Sequence, residues 1–190
     1  PPASPPPPPR RAPVPAHSLT APAPPPPGEA GIDCIEHGTG LTDETIATMA
    51  ERGVGLVPTL INIETFPSIA AQADGKFPKY AAHMRHLHAH RHETIAKAWD
   101  VGVPFYAGTD AGGTIKHGLI ASEVRLLAAV GGAEMALGAA SWRVRAWLGG
   151  EQLGIGDSAD LLVLDRDPRV DVGLLDSRSD VVRRGRVGSR

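Results

Sequence analysis

From Gly31 onward, short apolar runs alternate with longer stretches in which apolar residues return every three or four positions. That texture predicts strands alternating with helices. Residues 32–36 read as a strand. Residues 41–52 read as a helix, with Thr42 as its N-cap and Thr45-Ile46 and Met49-Ala50 giving helical apolar spacing. A second strand over 54–57 is stopped by Pro58, and a long helical stretch over 78–100 follows, with some helix before it. Residues 103–107 form the third predicted strand. Helices over 119–130 and 133–148 are broken apart by Gly131-Gly132. This order argues for a parallel sheet with right-handed crossovers. After Gly149-Gly150, residues 160–165 read as a compact apolar strand and 180–187 as a strand with polar alternation. Two such strands cannot stand alone, so they are expected to complete a sheet begun elsewhere.

Residues 1–28 differ in kind, with proline runs at 5–9 and 24–27. Proline fixes φ and offers no amide hydrogen, which excludes a helix or a central strand. The segment is expected to be disordered or polyproline II, a flexible tail before it is a ligand for Pro-x-x-Pro readers.

Composition narrows the functional classes. The 190 residues fall short of the roughly 250 of a complete eight-stranded (β/α) barrel. Lys plus Arg number 19 against 21 for Asp plus Glu, so no nucleic-acid partner is expected; the cluster Arg183-Arg184-Gly185-Arg186 is too short to change that. Cys34 is the single cysteine, which excludes an internal disulfide framework and fits a reducing, cytoplasmic setting. In its apolar run Cys34 reads as a small buried hydrophobe. No stretch approaches the roughly 20 apolar residues that span a bilayer, so no membrane partner is expected. The opening residues also lack a signal peptide's apolar centre, in a chain that does not begin with Met.

Chemistry gathers at the ends of the predicted strands. Ile35-Glu36-His37-Gly38 ends the first with a histidine, and neutral imidazole is a good ligand for zinc or iron. Alone, such a histidine is more often structural. Ala107-Gly108-Thr109-Asp110-Ala111-Gly112-Gly113 follows the third strand. A carboxylate there can touch a metal and exchange protons with its water, or it can simply cap the next helix. His17 lies within the proline-rich segment and means little by itself.

Taken together, these motifs resemble the amidohydrolase superfamily, in the branch similar to imidazolonepropionases and Xaa-Pro dipeptidases. The run from Ala30 to Leu41 looks like the sixth-strand signature, and Gly108-Thr109-Asp110-Ala111-Gly112 with His117-Gly118 looks like the eighth. The run from Gly156 to Asp165, with Asp167-Pro168 after it, looks like the family's C-terminal sandwich strand. The resemblance implies an α/β fold: a partial (β/α)8 TIM-like barrel with strands resembling the fifth to eighth, plus a fragment of a β-sandwich. It divides the chain into a proline-rich segment 1–28, a partial hydrolase barrel 29–150 and sandwich strands 151–190.

The implied activity is metal-assisted hydrolysis of a carbon–nitrogen bond in a small-molecule amide or a dipeptide. Metal-bound hydroxide would attack, with Asp110 as general base and then acid. His17, His37 and Asp110 would hold the metal, and His117 would stand near the substrate. The implied cofactor is a divalent metal, zinc first and iron or manganese as alternatives, with one or two ions in the full-length parent. The family's first-strand His-x-His pair and fourth-strand bridging residue have no counterpart here. The chain thus looks like the C-terminal portion of such an enzyme. The competing expectation is an inactive fragment that persists by self-association or by binding a partner.

One further cluster, His83, His86, His88, His90 and His92, falls on the long predicted helix. It reads as a solvated helix face rather than a metal site.

Overall fold

In the computed structural model the described residues are 12–18, 31–150, 153–177 and 180–188. Three short strands, β1 (Pro15–Ser18), β2 (Cys34–His37) and β3 (Gly55–Val57), pair in parallel in that order. Leu56 makes a further parallel bridge to Phe105. The expected third strand over 103–107 therefore reaches the sheet, but as one bridge. Its hydrogen bonds run from Leu56 N to Pro104 O (2.8 Å) and from Tyr106 N to Leu56 O (2.9 Å). Pro104 itself has no N–H to extend the ladder.

Part of the proline-rich opening is ordered. Pro15 begins β1, the outermost described strand, a position where a missing N–H is tolerated. Val14 N donates to Asp33 Oδ2 at 2.8 Å and Asp33 N to Val14 O at 2.9 Å, which fixes the register. The proline runs at 5–9 and 24–27 lie outside the described residues.

The helices follow the apolar periodicity. In α1 (Asp43–Arg52), Thr42 Oγ1 accepts from Thr45 N, and Gly53 closes the helix in the left-handed region. Ile46 and Met49 turn inward. The stretch before the long helix forms α2 (Leu60–Ile63) and α3 (Phe66–Ala73); α4 (Pro78–Val101) follows, with α3 packed along it. α4 buries Met84, Leu87 and Ile95 and leaves His86, His90 and His92 exposed, the solvated face expected. α5 (Ile120–Ala140) leaves helical geometry at Gly131 and Gly132, where a break was expected. The expected helix over 133–148 is also divided at Ser141 (φ −136°, ψ −100°), giving a separate α6 (Trp142–Trp147). This turn brings the Trp142 ring over Gly138, so close that a Cβ there would stand 3.0 Å from it.

A second sheet is antiparallel: β4 (Leu161–Val163), β5 (Asp180–Arg183) and β6 (Arg186–Val187). The single strand expected over 180–187 is thus a hairpin. Arg184 (φ 49°) and Gly185 (φ 72°) are both left-handed, as a two-residue turn with the right twist requires. The polar alternation hid that turn. Among the described residues the architecture is α/β, two small sheets with several helices, consistent with part of an amidohydrolase-like fold. They form no closed barrel.

The core joins Ile35, Leu56 and Phe105 of the parallel sheet to side chains from α1, α4 and α5. Cys34 is buried beside it, and burial pushes its thiol up to about 12. A thiol so far from ionising is no nucleophile. No described helix is long and apolar enough to cross a membrane.

Candidate metal centre

The parallel strands deliver their last residues to one end of the sheet, where loops converge and ligands collect in parallel α/β architectures. In the β1–β2 register His17 pairs with Glu36 and Ser18 with His37. Strand alternation would send the Glu36 and His37 side chains to opposite faces. It fails here because His37 has φ 69°, and its ring comes to His17. His17 Nδ1 lies 3.0 Å from His37 Nε2 and 3.1 Å from Glu36 Oε2. Donor atoms of His17, Glu36 and His37 all lie within 4.8 Å of one another. Among the described residues, they form the one group of three or more His, Cys, Asp or Glu side chains so arranged.

The hydrogen bonds define the ring protons. Glu36 can only accept, so His17 Nδ1–H is the donor shared between Glu36 and His37 Nε2. The second His37 nitrogen, Nδ1, then carries hydrogen and donates to Thr59 Oγ1 at 2.7 Å. Burial lowers the His37 pKa; the Asp110 charge opposes that, His17 adds to it and Glu36 opposes it. The outcome is a neutral ring whose Nε2 lone pair faces His17 and Glu36.

This arrangement fits a metal. Replacing the shared proton leaves three ligand atoms within 4.8 Å of one another. Adjacent ligands of a tetrahedral zinc bound at about 2.1 Å stand roughly 3.4 Å apart, so the nitrogens, 3.0 Å apart, need to part by only a few tenths of an ångström. Two imidazoles and a carboxylate suit zinc, iron or manganese. Fixing the ligand histidine through its other nitrogen, as Thr59 does, is how metal sites commonly hold ring orientation.

Left-handed backbone is concentrated here. His37 (φ 69°), Thr59 (φ 47°) and Asp110 (φ 55°) account for three of the four non-glycine residues with positive φ among those described. His37 ends β2, Thr59 follows β3 and Asp110 follows the Phe105 bridge. For a β-branched residue such as Thr59, this costs about 1–3 kcal/mol and persists only where surrounding contacts enforce it. Gly38 (φ 68°) completes the turn after β2; a Cβ there would stand 2.6 Å from Leu56 Cδ1.

The expected site residues separate in space. His17 and His37 come together. Asp110 lies outside their cluster, exposed, with Oδ2 accepting from Asn62 Nδ2 at 2.8 Å. It is close enough for its charge to act on His37. His117 is exposed on the loop leading into α5. Gly108, in the Asp110 motif, serves packing: a Cβ there would meet Val57 Cγ1 at 2.6 Å. The histidine cluster of α4 is otherwise engaged, with His88 and Arg91 on Glu64 and His86 against His90.

Four participants had no role in the sequence reading. Glu36 was in view, but strand alternation argues against adjacent residues sharing a site. Thr59 and Asn62 carry no motif. Glu123 is the most distant participant: fully buried, it accepts from Leu60 N at 2.8 Å and Ile61 N at 2.9 Å.

Burial pushes the Glu123 carboxyl up to about 7 from an ordinary 4.5, against the opposing pull of the Ile61 and Leu60 amides. A carboxyl raised on folding binds its proton more tightly in the folded chain. Its contribution to stability is therefore complete below pH 4.5 and lost as pH rises through about 7. At about 1.4 kcal/mol per unit, the change is about 3 kcal/mol. Urea unfolding at about pH 5 and about pH 8 should show this loss in the native chain and a flatter profile in Glu123→Gln. Identical pH slopes would refute it.

No protein-family model matches the chain. An uncharacterized protein of Mycobacterium tuberculosis is 55% identical over 175 residues, covering 92% of this chain and 47% of the relative. The chain spans about half the length of the curated relatives it matches. Among solved structures, a Xaa-Pro dipeptidase with methionine bound in its active site is similar at a TM-score of 0.75 and 28% identity. That match covers 93% of this chain and 45% of the dipeptidase. A prolidase complexed with N-methylphosphonate-L-proline matches at a TM-score of 0.74 and 27% identity, with the same coverages of 93% and 45%. The structural neighbours point to the amidohydrolase and prolidase superfamily.

Proposed function

We propose that this chain carries the metal-holding side of an active site that hydrolyses carbon–nitrogen bonds. His17, Glu36 and His37 are the ligands, and zinc is the first metal to test. The observation that carries the reading is the convergence of two imidazole nitrogens and a carboxylate oxygen at the ends of adjacent parallel strands. When bound, the metal would supply an acidified water and a polarised substrate carbonyl at neutral pH.

The remaining work falls to the chain's own side chains. Burial keeps His37 neutral, and Thr59 orients its ring. Asp110 takes a proton from the attacking water and returns it to the leaving nitrogen. Asn62 holds Oδ2 of that carboxylate, leaving Oδ1 for the transfer. Asp110 is kept as a candidate ligand as well, the double role that its motif's resemblance implies. His117 is assigned to the substrate side on the same resemblance. The dipeptidase and prolidase neighbours make dipeptides ending in proline the first substrates to try, with cyclic amides second.

The test is direct. The metal-free chain is reloaded with zinc, then with manganese, and assayed against Xaa-Pro dipeptides and cyclic amides. Hydrolysis that appears with metal and vanishes with chelator is expected. A chain that takes up no divalent metal contradicts the proposal.

A further inference from the structure

Glu123 has no part in the chemistry proposed above, yet it is the most deeply buried charged side chain among the described residues. Burying a carboxylate is unfavourable unless its oxygens are satisfied. Each has a partner: Oε1 accepts from Leu60 N at 2.8 Å and Oε2 from Ile61 N at 2.9 Å. Those amides open α2, a single helical turn whose own N-cap residue, Thr59, makes no side-chain cap. The missing cap is supplied from α5, 63 residues further along the chain.

α2 touches the site at two points. Thr59, immediately before it, is buried in left-handed backbone and accepts from His37 Nδ1 at 2.7 Å. Asn62, within it, donates to Asp110 Oδ2 at 2.8 Å. One four-residue turn thus sets the ring of a cluster histidine and the carboxylate of Asp110. Thr59 uses its hydroxyl on His37 instead of capping α2, so the free amides need an acceptor from elsewhere. Glu123 is that acceptor.

We propose that Glu123 is the positioning residue of this site, pinning α2 so that Thr59 aims His37 and Asn62 aims Asp110. The proposal rests on the reading of His37 as a metal ligand and Asp110 as the proton carrier. Glu123→Gln keeps the side chain's size but offers one acceptor oxygen where two amides need one each. It should release α2 without emptying the core.

The test compares the metal-free chain, Glu123→Gln and Ile46→Val, a core change remote from α2 that lowers stability alone. NMR of nitrogen-labelled protein reads the His37 ring Nδ1–H and the Asn62 side-chain amide. In Glu123→Gln both signals should shift and exchange with solvent about tenfold faster or more, while Ile46→Val leaves them in place. Cobalt(II) affinity should fall about tenfold in Glu123→Gln, the order expected when support of a metal ligand is lost. Unchanged His37 and Asn62 signals in a folded Glu123→Gln would overturn the proposal and leave Glu123 a packing residue. Should that variant not fold, hydrogen exchange in the unmodified chain decides. The Leu60 and Ile61 amides and the His37 ring hydrogen should then open in one common event, and rates about tenfold or more apart would overturn the proposal. Failure of the unmodified chain to bind cobalt would count against the metal reading alone, because the NMR comparison uses no metal.

Discussion

Asp110→Asn is expected to lower metal-dependent hydrolysis by about 10²–10⁴-fold in kcat, with KM nearly unchanged. Asparagine keeps the shape of the side chain and can still accept from Asn62 Nδ2, so the loop after Phe105 retains its local bond. What it loses is basicity: an amide cannot take a proton from water and return it to a leaving nitrogen. Asp110 is also exposed, so the change leaves no buried polar group unpaired and the fold should persist. The measurement is steady-state hydrolysis of the best Xaa-Pro dipeptide, with circular dichroism as the control for folding. A loss below about tenfold would remove Asp110 from proton transfer.

The second large effect concerns the ligands. His37→Ala should weaken zinc binding by at least ~100-fold, because loss of supporting partners alone commonly costs 10–100-fold. His17→Ala and Glu36→Gln should act in the same direction, whereas His86→Ala should have no effect. Titration calorimetry or a competing chelator reads all four. Equal affinity in His37→Ala and the unmodified chain would exclude the cluster and turn attention to α4. His37 is buried, so its removal also opens a small cavity; the His17→Ala comparison, at an exposed position, separates that cost from metal loss.

Local signals were legible where neighbours in sequence determine structure. Thr42 caps α1 and Gly131-Gly132 breaks α5, because each acts on backbone within a few residues of itself. His17 was harder. Its only claim was the family resemblance, and it gains meaning because β1 pairs with β2 and sets it beside Glu36. Glu36 was concealed by strand alternation, which the positive φ of His37 defeats. Arg184-Gly185 was concealed in the opposite way, since polar alternation runs on through the turn. Glu123 was beyond reach of any local pattern. On α5 it reads as an ordinary helix glutamate, and only the long-range approach of α2 makes it an acceptor for two backbone amides. Glu36 and His37 therefore sit within a recognisable motif, while His17 and the supports of the cluster come from tertiary contacts.

The central claim is that His17, Glu36 and His37 jointly hold a metal. The most direct test is anomalous diffraction at the zinc edge from crystals of the zinc-loaded chain. The account predicts a peak within about 2.1 Å of His17 Nδ1, His37 Nε2 and a Glu36 carboxylate oxygen. A peak confined to His86 and His90 on α4, or no ordered zinc at all, would contradict it.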